Sequence, residues 1–270
     1  MTRNERVERF RKLHQEGILV LPNAWDAVTA RLFEEVGARA IATTSAGVAL
    51  VHGFPDGNQL PRELAIAALE RIVRSVKVPV SADIEAGYGR TPEEVCETVR
   101  GVIAAGAVGI NLEDGTQAPE LLAAKLEAIR SLAAREGSDL FVNARIDVYL
   151  NGGGEPEGNF AESLRRAVLY AEAGADGIFV PGLLDADRLG AFCAAVPRPV
   201  NALAFRGLPP PAELARLGVR RLSAGSGLMR AALGCARRAA AELLEQGSYR
   251  GFVEGVPSHA ETNALFAAAG

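Results

Sequence analysis

The sequence predicts an α/β protein of the (β/α)8 TIM-barrel type. Eight short apolar, β-branched runs alternate with longer segments whose apolar residues recur at i, i+3 and i+4. A repeated phrase of helix stop, tight turn and buried strand appears as VGARAIAT, AGAVGINL, AGADGIFV and LGVRRLSA. The 270 residues suffice for one such barrel, with no internal linker to divide it. An open doubly wound sheet is the alternative fold that the same alternation allows.

The opening MTRNERVERFRKLHQEG, residues 1–17, is charged and amphipathic and reads as an N-terminal helix, with His14 on its surface. The first strand is ILVLP (18–22), followed by PNAWD, where Trp25 reads as packing. Helix AVTARLFEEVG stops at Gly37, and RAIATTS (39–45) is the second strand. The HGFPDGN loop leads to helix ELAIAALERIVRSV and to strand VPVSADIE (78–85). Thr91 and Pro92 form a helix start for PEEVCETVRGVIAAG, which stops at Gly106. Strand VGINLED (108–114) passes quickly into helix APELLAAKLEAIR, and LFVNARID (140–147) follows. NGGGEPEGN (151–159) is either a cover over the barrel mouth or a surface loop. Helix AESLRRAVLYAEAG stops at Gly174 before strands DGIFVPG (176–182), PVNALA (199–204) and VRRLSAG (219–225). The chain thus reads as one domain: helix 1–17, barrel 18–246 and a C-terminal arm, 247–270, that caps the barrel or swaps onto a neighbouring subunit.

Apolar residues make up 49% and charged residues 23%, with a formal charge of −4. No basic block or aromatic-plus-basic stripe is present, which argues against a nucleic-acid partner. No apolar run reaches the roughly 18 residues of a spanning helix, and the N-terminus lacks a secretory apolar core. Cys96, Cys193 and Cys235 form no CxxC pair. A reducing, cytoplasmic setting with free thiols is expected.

In such a barrel the chemistry sits at the C-terminal strand ends. Polar residues gather there: Thr43, Thr44 and Ser45, then Asp83 and Glu85, Asn111, Glu113 and Asp114, Asn143, Arg145 and Asp147, and Asn201. Asp56 lies in the loop after the second strand, with His52 a weak rim candidate. Alternation along a strand puts Asp83 and Glu85 on one face. If Asp83, Glu85, Glu113 and Asp56 converge, they repel one another, and a hard divalent cation removes the conflict. All-oxygen ligation suits Mg2+, or Mn2+, with one acid bound directly and others holding its waters. The bland reading is that each acid caps a helix or pairs with an arginine. Arg145 either neutralises Glu113 or clamps a substrate carboxylate. Ser45 is either a cap or, with the glycine-containing turn behind it, a donor to a carboxylate.

LPNAWDAVTARLFEEVGARAIATTSAG, the FPDG loop, VSADIEAGYG, GINLEDG and NARIDVYL together resemble the isocitrate lyase/phosphoenolpyruvate mutase superfamily, in order from about Val20 to Ser223. The resemblance implies a Mg2+-dependent barrel acting on small 2-oxo or 2-hydroxy carboxylates through an enolate. It implies that Asp83 ligates the metal, while Asp56, Glu85 and Glu113 hold metal-bound waters. Ser45, Ala46 and Gly47 would grip the substrate carboxylate, and Arg145 would bind substrate oxygens. Asn201 joins the substrate-binding candidates. A homotetramer with a crossing C-terminal helix is also implied. The chain departs from the family pattern after Glu113. It lacks the lid segment whose cysteine is the lyase acid/base, and FVPG carries no histidine where the mutases have one.

These features point to a carbon–carbon lyase. Oxaloacetate-type decarboxylation stands ahead of isocitrate-like aldol cleavage, because the latter needs a base that Glu113 would have to supply. A 2-oxo-dicarboxylate binder with little catalysis and a phosphonopyruvate hydrolase are the alternatives.

Overall fold

A computed structural model describes residues 2–152 and 154–267. In chain order it contains α1 (Arg3–Leu13), β1 (Leu19–Leu21), β2 (Asn23–Ala24), α2 (Ala27–Glu35), β3 (Ile41–Thr43), α3 (Ser45–Val51), α4 (Arg62–Ser75) and β4 (Val80–Asp83). Next come α5 (Pro92–Ala104), β5 (Gly109–Glu113), α6 (Pro119–Glu136), β6 (Phe141–Arg145), α7 (Pro156–Glu172), β7 (Gly177–Phe179) and α8 (Ala186–Ala195). The chain ends with β8 (Val200–Leu203), α9 (Pro211–Arg216), β9 (Val219–Ser223), α10 (Gly227–Gln246), a 3-10 turn (Arg250–Phe252) and α11 (His259–Ala267). No helix among the described residues is long and apolar enough to cross a membrane.

Every expected strand forms, and all pairings are parallel in the order β1-β9-β8-β7-β6-β5-β4-β3-β2. This is the (β/α)8 barrel, and its closure lies in the first strand. That strand does not stop at residue 22. Leu19–Leu21 pairs with β9, and Asn23–Ala24 pairs with β3. Pro22 divides them because it has no N–H to give either neighbour, while its carbonyl accepts from the Ala42 N–H. Asn23 then ties both sides of the seam. Its Nδ2 donates to the Thr43 carbonyl (2.8 Å), and its Oδ1 accepts from the Ala224 and Gly225 N–H groups.

Local signals explain the helices. Thr91 caps α5 with a reciprocal capping box through Glu94, and Pro92 occupies the first turn. Gly37, Gly106 and Gly174 have positive φ at the helix-to-strand turns. The N-terminal helix is shorter than expected and plugs the bottom of the barrel. Val7, Phe10 and Leu13 pack with Leu19, Leu21, Val108 and Phe141. Full burial of Phe10 contributes about 1.5–3 kcal/mol. Gly109 is required there, because a Cβ would stand 3.0 Å from a Phe10 ring carbon and from the Phe141 carbonyl.

His14 is buried in this plug rather than on the surface. Its ring stacks on Phe141 at 4.2 Å between centroids, and Nδ1 donates to the Phe10 carbonyl (2.8 Å). Val7, Phe10 and His14 share one helical face, so the ring follows Phe10 inward. Burial, with the Arg221 charge next in importance, lowers its pKa to about 3.

The C-terminal end differs from a simple barrel. Met229 is the buried residue of α10, and this helix packs against the 3-10 turn. Val20, the outward-facing residue of β1, is 50% exposed. α11 returns to α2, where Arg31 Nε donates to the Leu265 carbonyl. Of the thiols, Cys96 is buried and Cys235 exposed.

Candidate active site

The C-terminal ends of the strands surround a cavity of about 150 Å3. One side is polar, with Asn23, Ser45, Asp56, Asp83, Asn111 and Arg145. Phe179, Pro181 and Leu203 add an apolar part of the lining. The volume lies below the roughly 300–1,000 Å3 of drug-sized sites and suits a small ligand. None of the described residues in 151–159 is on this wall. Asn151 Nδ2 instead donates to the Gly115 carbonyl (2.5 Å), and Gly153 lies outside the described residues.

Asp83 ends β4. Its Oδ2 accepts from the Ser45 N–H (3.1 Å) and the Ser45 hydroxyl (2.8 Å), while Oδ1 has no partner among the described residues. Ser45, Ala46 and Gly47 form the first turn of α3, capped by Thr44, rather than a glycine turn. Ser45 and Ala46 reach the cavity wall. Gly47 lies behind it, where a Cβ would stand 2.8 Å from the Trp25 Cβ. The two Ser45 donors expected to grip a substrate are here holding Asp83.

Glu85 does not share a strand face with Asp83, as alternation predicted. The strand stops at Asp83, and Glu85 (φ 53°), Gly87 (φ 102°) and Tyr88 (φ 50°) adopt left-handed backbone. Each non-glycine residue held this way costs on the order of 1–3 kcal/mol. The surroundings supply the restraint. The buried Lys125 Nζ donates to the Ala86 carbonyl (2.9 Å) and to Gln117 Oε1 (3.0 Å). Glu85 accepts from the Asn58 N–H and from the Tyr88 hydroxyl (3.2 Å). Burial raises its pKa, and Asp83 and Asp56 add to the rise.

Glu113 and Arg145 end adjacent strands in matching register. Arg145 Nη1 pairs with Glu113 (2.6 Å), and Nε pairs with Asp147 (2.6 Å). Its Nη2 meets no acceptor among the described residues, and its guanidinium lies 5.9 Å from the Phe179 ring centre. Of the two alternatives for Arg145, the pairing with Glu113 is present, and Nη2 is left without a partner among the described residues. Even so, the Glu113 carboxyl is pushed up to about 8. Burial is the main cause, and repulsion from Asp83, Asp147 and Glu85 adds to it against the opposing pull of Arg145. Asp147 is raised chiefly by burial as well. One arginine does not balance two buried acids.

This excess of carboxylate, all-oxygen and without histidine, fits a hard divalent cation. Among the described residues no three His, Cys, Asp or Glu side chains are arranged to ligate one ion. What the structure shows is mutual proximity: Glu85 feels the charges of Asp83 and Asp56, and Glu113 those of Asp83 and Glu85, a spacing that suits a hydrated cation.

Other candidates lie elsewhere. Asn201 is below the cavity, where its amide exchanges hydrogen bonds with the Ser223 hydroxyl (3.0 and 3.2 Å). His52 turns away, its Nδ1 on the Val48 carbonyl. Asp114 is structural. It accepts from Arg166 (2.8 Å), the Tyr170 hydroxyl (2.7 Å) and the Asp147 N–H (2.9 Å). Sequence reasoning did not single out Arg221 or Ser223. The signal was there: both occupy alternating buried positions of β9, where Arg221 reaches Asn111 and Ser223 reaches Asn201.

The sequence profile of the phosphoenolpyruvate phosphomutase family matches residues 10–244. An uncharacterized protein of Mycobacterium tuberculosis is 39% identical over 222 residues, 80% of this chain and 81% of that one. The 2-methylisocitrate lyase of Halalkalibacterium halodurans is 30% identical over 225 residues, 77% of this chain and 71% of its own. A solved structure from Burkholderia cenocepacia J2315 is 38% identical with a TM-score of 0.91, covering 98% of this chain and 97% of that chain.

Proposed function

The chain belongs to the isocitrate lyase/phosphoenolpyruvate mutase superfamily, and on that premise we propose that it is a Mg2+-dependent carbon–carbon lyase acting on a small 2-oxo or 2-hydroxy di- or tricarboxylate. The observation that carries this reading is the surplus of carboxylates around one arginine, with Asp83 on the cavity wall and its Oδ1 without a partner among the described residues. Asp83 would hold the ion, and Asp56, Glu85 and Glu113 would hold its waters. Bound there, Mg2+ would draw electrons from the substrate's 2-oxygen and stabilise the charge that develops as the carbon–carbon bond breaks.

Arg145 orients the substrate through its free Nη2, because its other two nitrogens are fixed on Glu113 and Asp147. Glu113, pushed up to about 8, is the group suited to hold or move a proton. The connection from Glu113 to α6 spans only Asp114 to Ala118, too short for a long lid. That supports decarboxylation of an oxaloacetate-type acid ahead of aldol cleavage. The bond to the departing carboxylate breaks, its electrons pass to the 2-oxygen, and solvent returns a proton to C3.

The test is oxaloacetate consumption with Mg2+ and with chelator, in wild type and Asp83→Ala, after subtracting the rate of free metal. Enzyme-dependent turnover lost in both controls supports the reading. Oxalate binding without turnover of any cleavable analogue would leave the non-catalytic binder. Phosphate release from phosphonopyruvate would revive the hydrolase.

We also propose a homotetramer assembled through the C-terminal helices. The exposed α10 and the uncovered Val20 support this, and a monomer by light scattering would refute it.

A further inference from the structure

We propose that Asn111 binds substrate, donating its side-chain amide N–H to a substrate oxygen, and that Arg221 and Asn143 position it. Asn111 sits on the cavity wall beside Asp83, its register partner, and is 4% exposed. Its Oδ1 accepts from Asn143 Nδ2 (2.9 Å) and Arg221 Nη2 (3.1 Å). A guanidinium can only donate. The amide oxygen must therefore face Arg221, whichever way an amide is drawn, and Nδ2 must face the other way. Nδ2 donates to no acceptor among the described residues, and it is not among the buried polar atoms that lack a partner. The cavity is what it meets.

Arg221 is held for this task. It is 1% exposed, and its bonds go to neutral oxygens, on Asn111 and on Ser223 (Nε, 3.2 Å), while Nη1 has no partner. No carboxylate forms an ion pair with it among the described residues. A buried cation left this way does not strengthen the barrel by pairing. It does lock the Asn111 amide in one orientation beneath an anion-binding mouth. The expected acceptor is a carboxylate or keto oxygen of the 2-oxo acid, so this inference rests on the substrate class proposed above.

The test measures oxalate affinity in the presence of Mg2+ by calorimetry, and Mg2+ affinity alone, for wild type and variants. Asn111→Leu should weaken oxalate at least about tenfold, the scale of one hydrogen bond to a charged oxygen, and leave Mg2+ affinity within twofold. Asn111→Asp still accepts from Arg221 but replaces the donor with an acceptor. It should melt no lower than wild type, and should lose at least about tenfold more oxalate affinity than Ser226→Asp, which adds the same charge at the wall. This comparison carries the test if Asn111→Leu does not fold. Arg221→Met should weaken oxalate in wild type but add less than twofold in the Asn111→Leu background. Unchanged oxalate affinity in folded Asn111→Leu, equal losses in the two aspartate variants, or additive losses with Arg221→Met would overturn the inference. A wild type that binds Mg2+ but no oxalate would instead overturn the substrate class, and this inference with it.

Discussion

His14→Gln should make the protein's stability less sensitive to acid. The native imidazole is held neutral in the barrel plug, its pKa lowered from 6.5 to about 3 by burial first and by Arg221 second. The unfolded chain takes up a proton near pH 6.5 and the native chain only near pH 3. Between those values the unfolded state binds more protons, so stability falls as the pH falls. Above pH 6.5 the group adds no slope. These values give a loss of about 2 kcal/mol between pH 8 and pH 5, approaching about 5 kcal/mol at pH 3 and below. Glutamine keeps an N–H for the Phe10 carbonyl and removes the titration. Urea unfolding followed by circular dichroism at pH 8 and pH 5 reads the difference. Wild type should lose about 2 kcal/mol more than the variant over this interval, whatever their stabilities at pH 8. Equal losses would refute the argument that the buried ring is kept neutral.

Arg145→Met leaves Glu113 and Asp147 buried without their cation. It should cost about 3–5 kcal/mol in urea unfolding at pH 8 and abolish oxaloacetate turnover. The stability deficit should shrink toward pH 5 as Asp147, raised by burial and no longer opposed by the guanidinium, takes up a proton at a higher pH than in wild type. Asp114→Asn takes one of two carboxylates from Arg166, which keeps Glu162, and weakens the buried bond to Tyr170. A loss of about 1–3 kcal/mol is expected, with KM of the folded fraction unchanged. Gly47→Ala places a Cβ 2.6 Å from Thr44 Cγ2 and 2.8 Å from Trp25 Cβ. It should destabilise by about 1–3 kcal/mol and shift the emission of Trp25, the single tryptophan.

The barrel was legible because its signals are local. Apolar periodicity marked each strand and helix, Thr91-Pro92 marked a helix start, and Gly37, Gly106 and Gly174 marked turns. The acids at the mouth were legible for the same reason: a strand end is where the apolar run stops. Other features depended on contacts between residues far apart. Alternation could not show that Glu85 leaves the strand, since Lys125 and Asn58 hold that loop from other elements. It could not show that Pro22 splits one strand between two neighbours. Nor could it show that His14 stacks on Phe141, or that Arg145 serves both Glu113 and Asp147. By itself the sequence determined the elements, their order and the kinds of side chain at each strand end. The tertiary structure decided which partners those side chains meet. Propensity and periodicity act over a few residues, whereas pairing is set by strand register, barrel closure and what fills the interior.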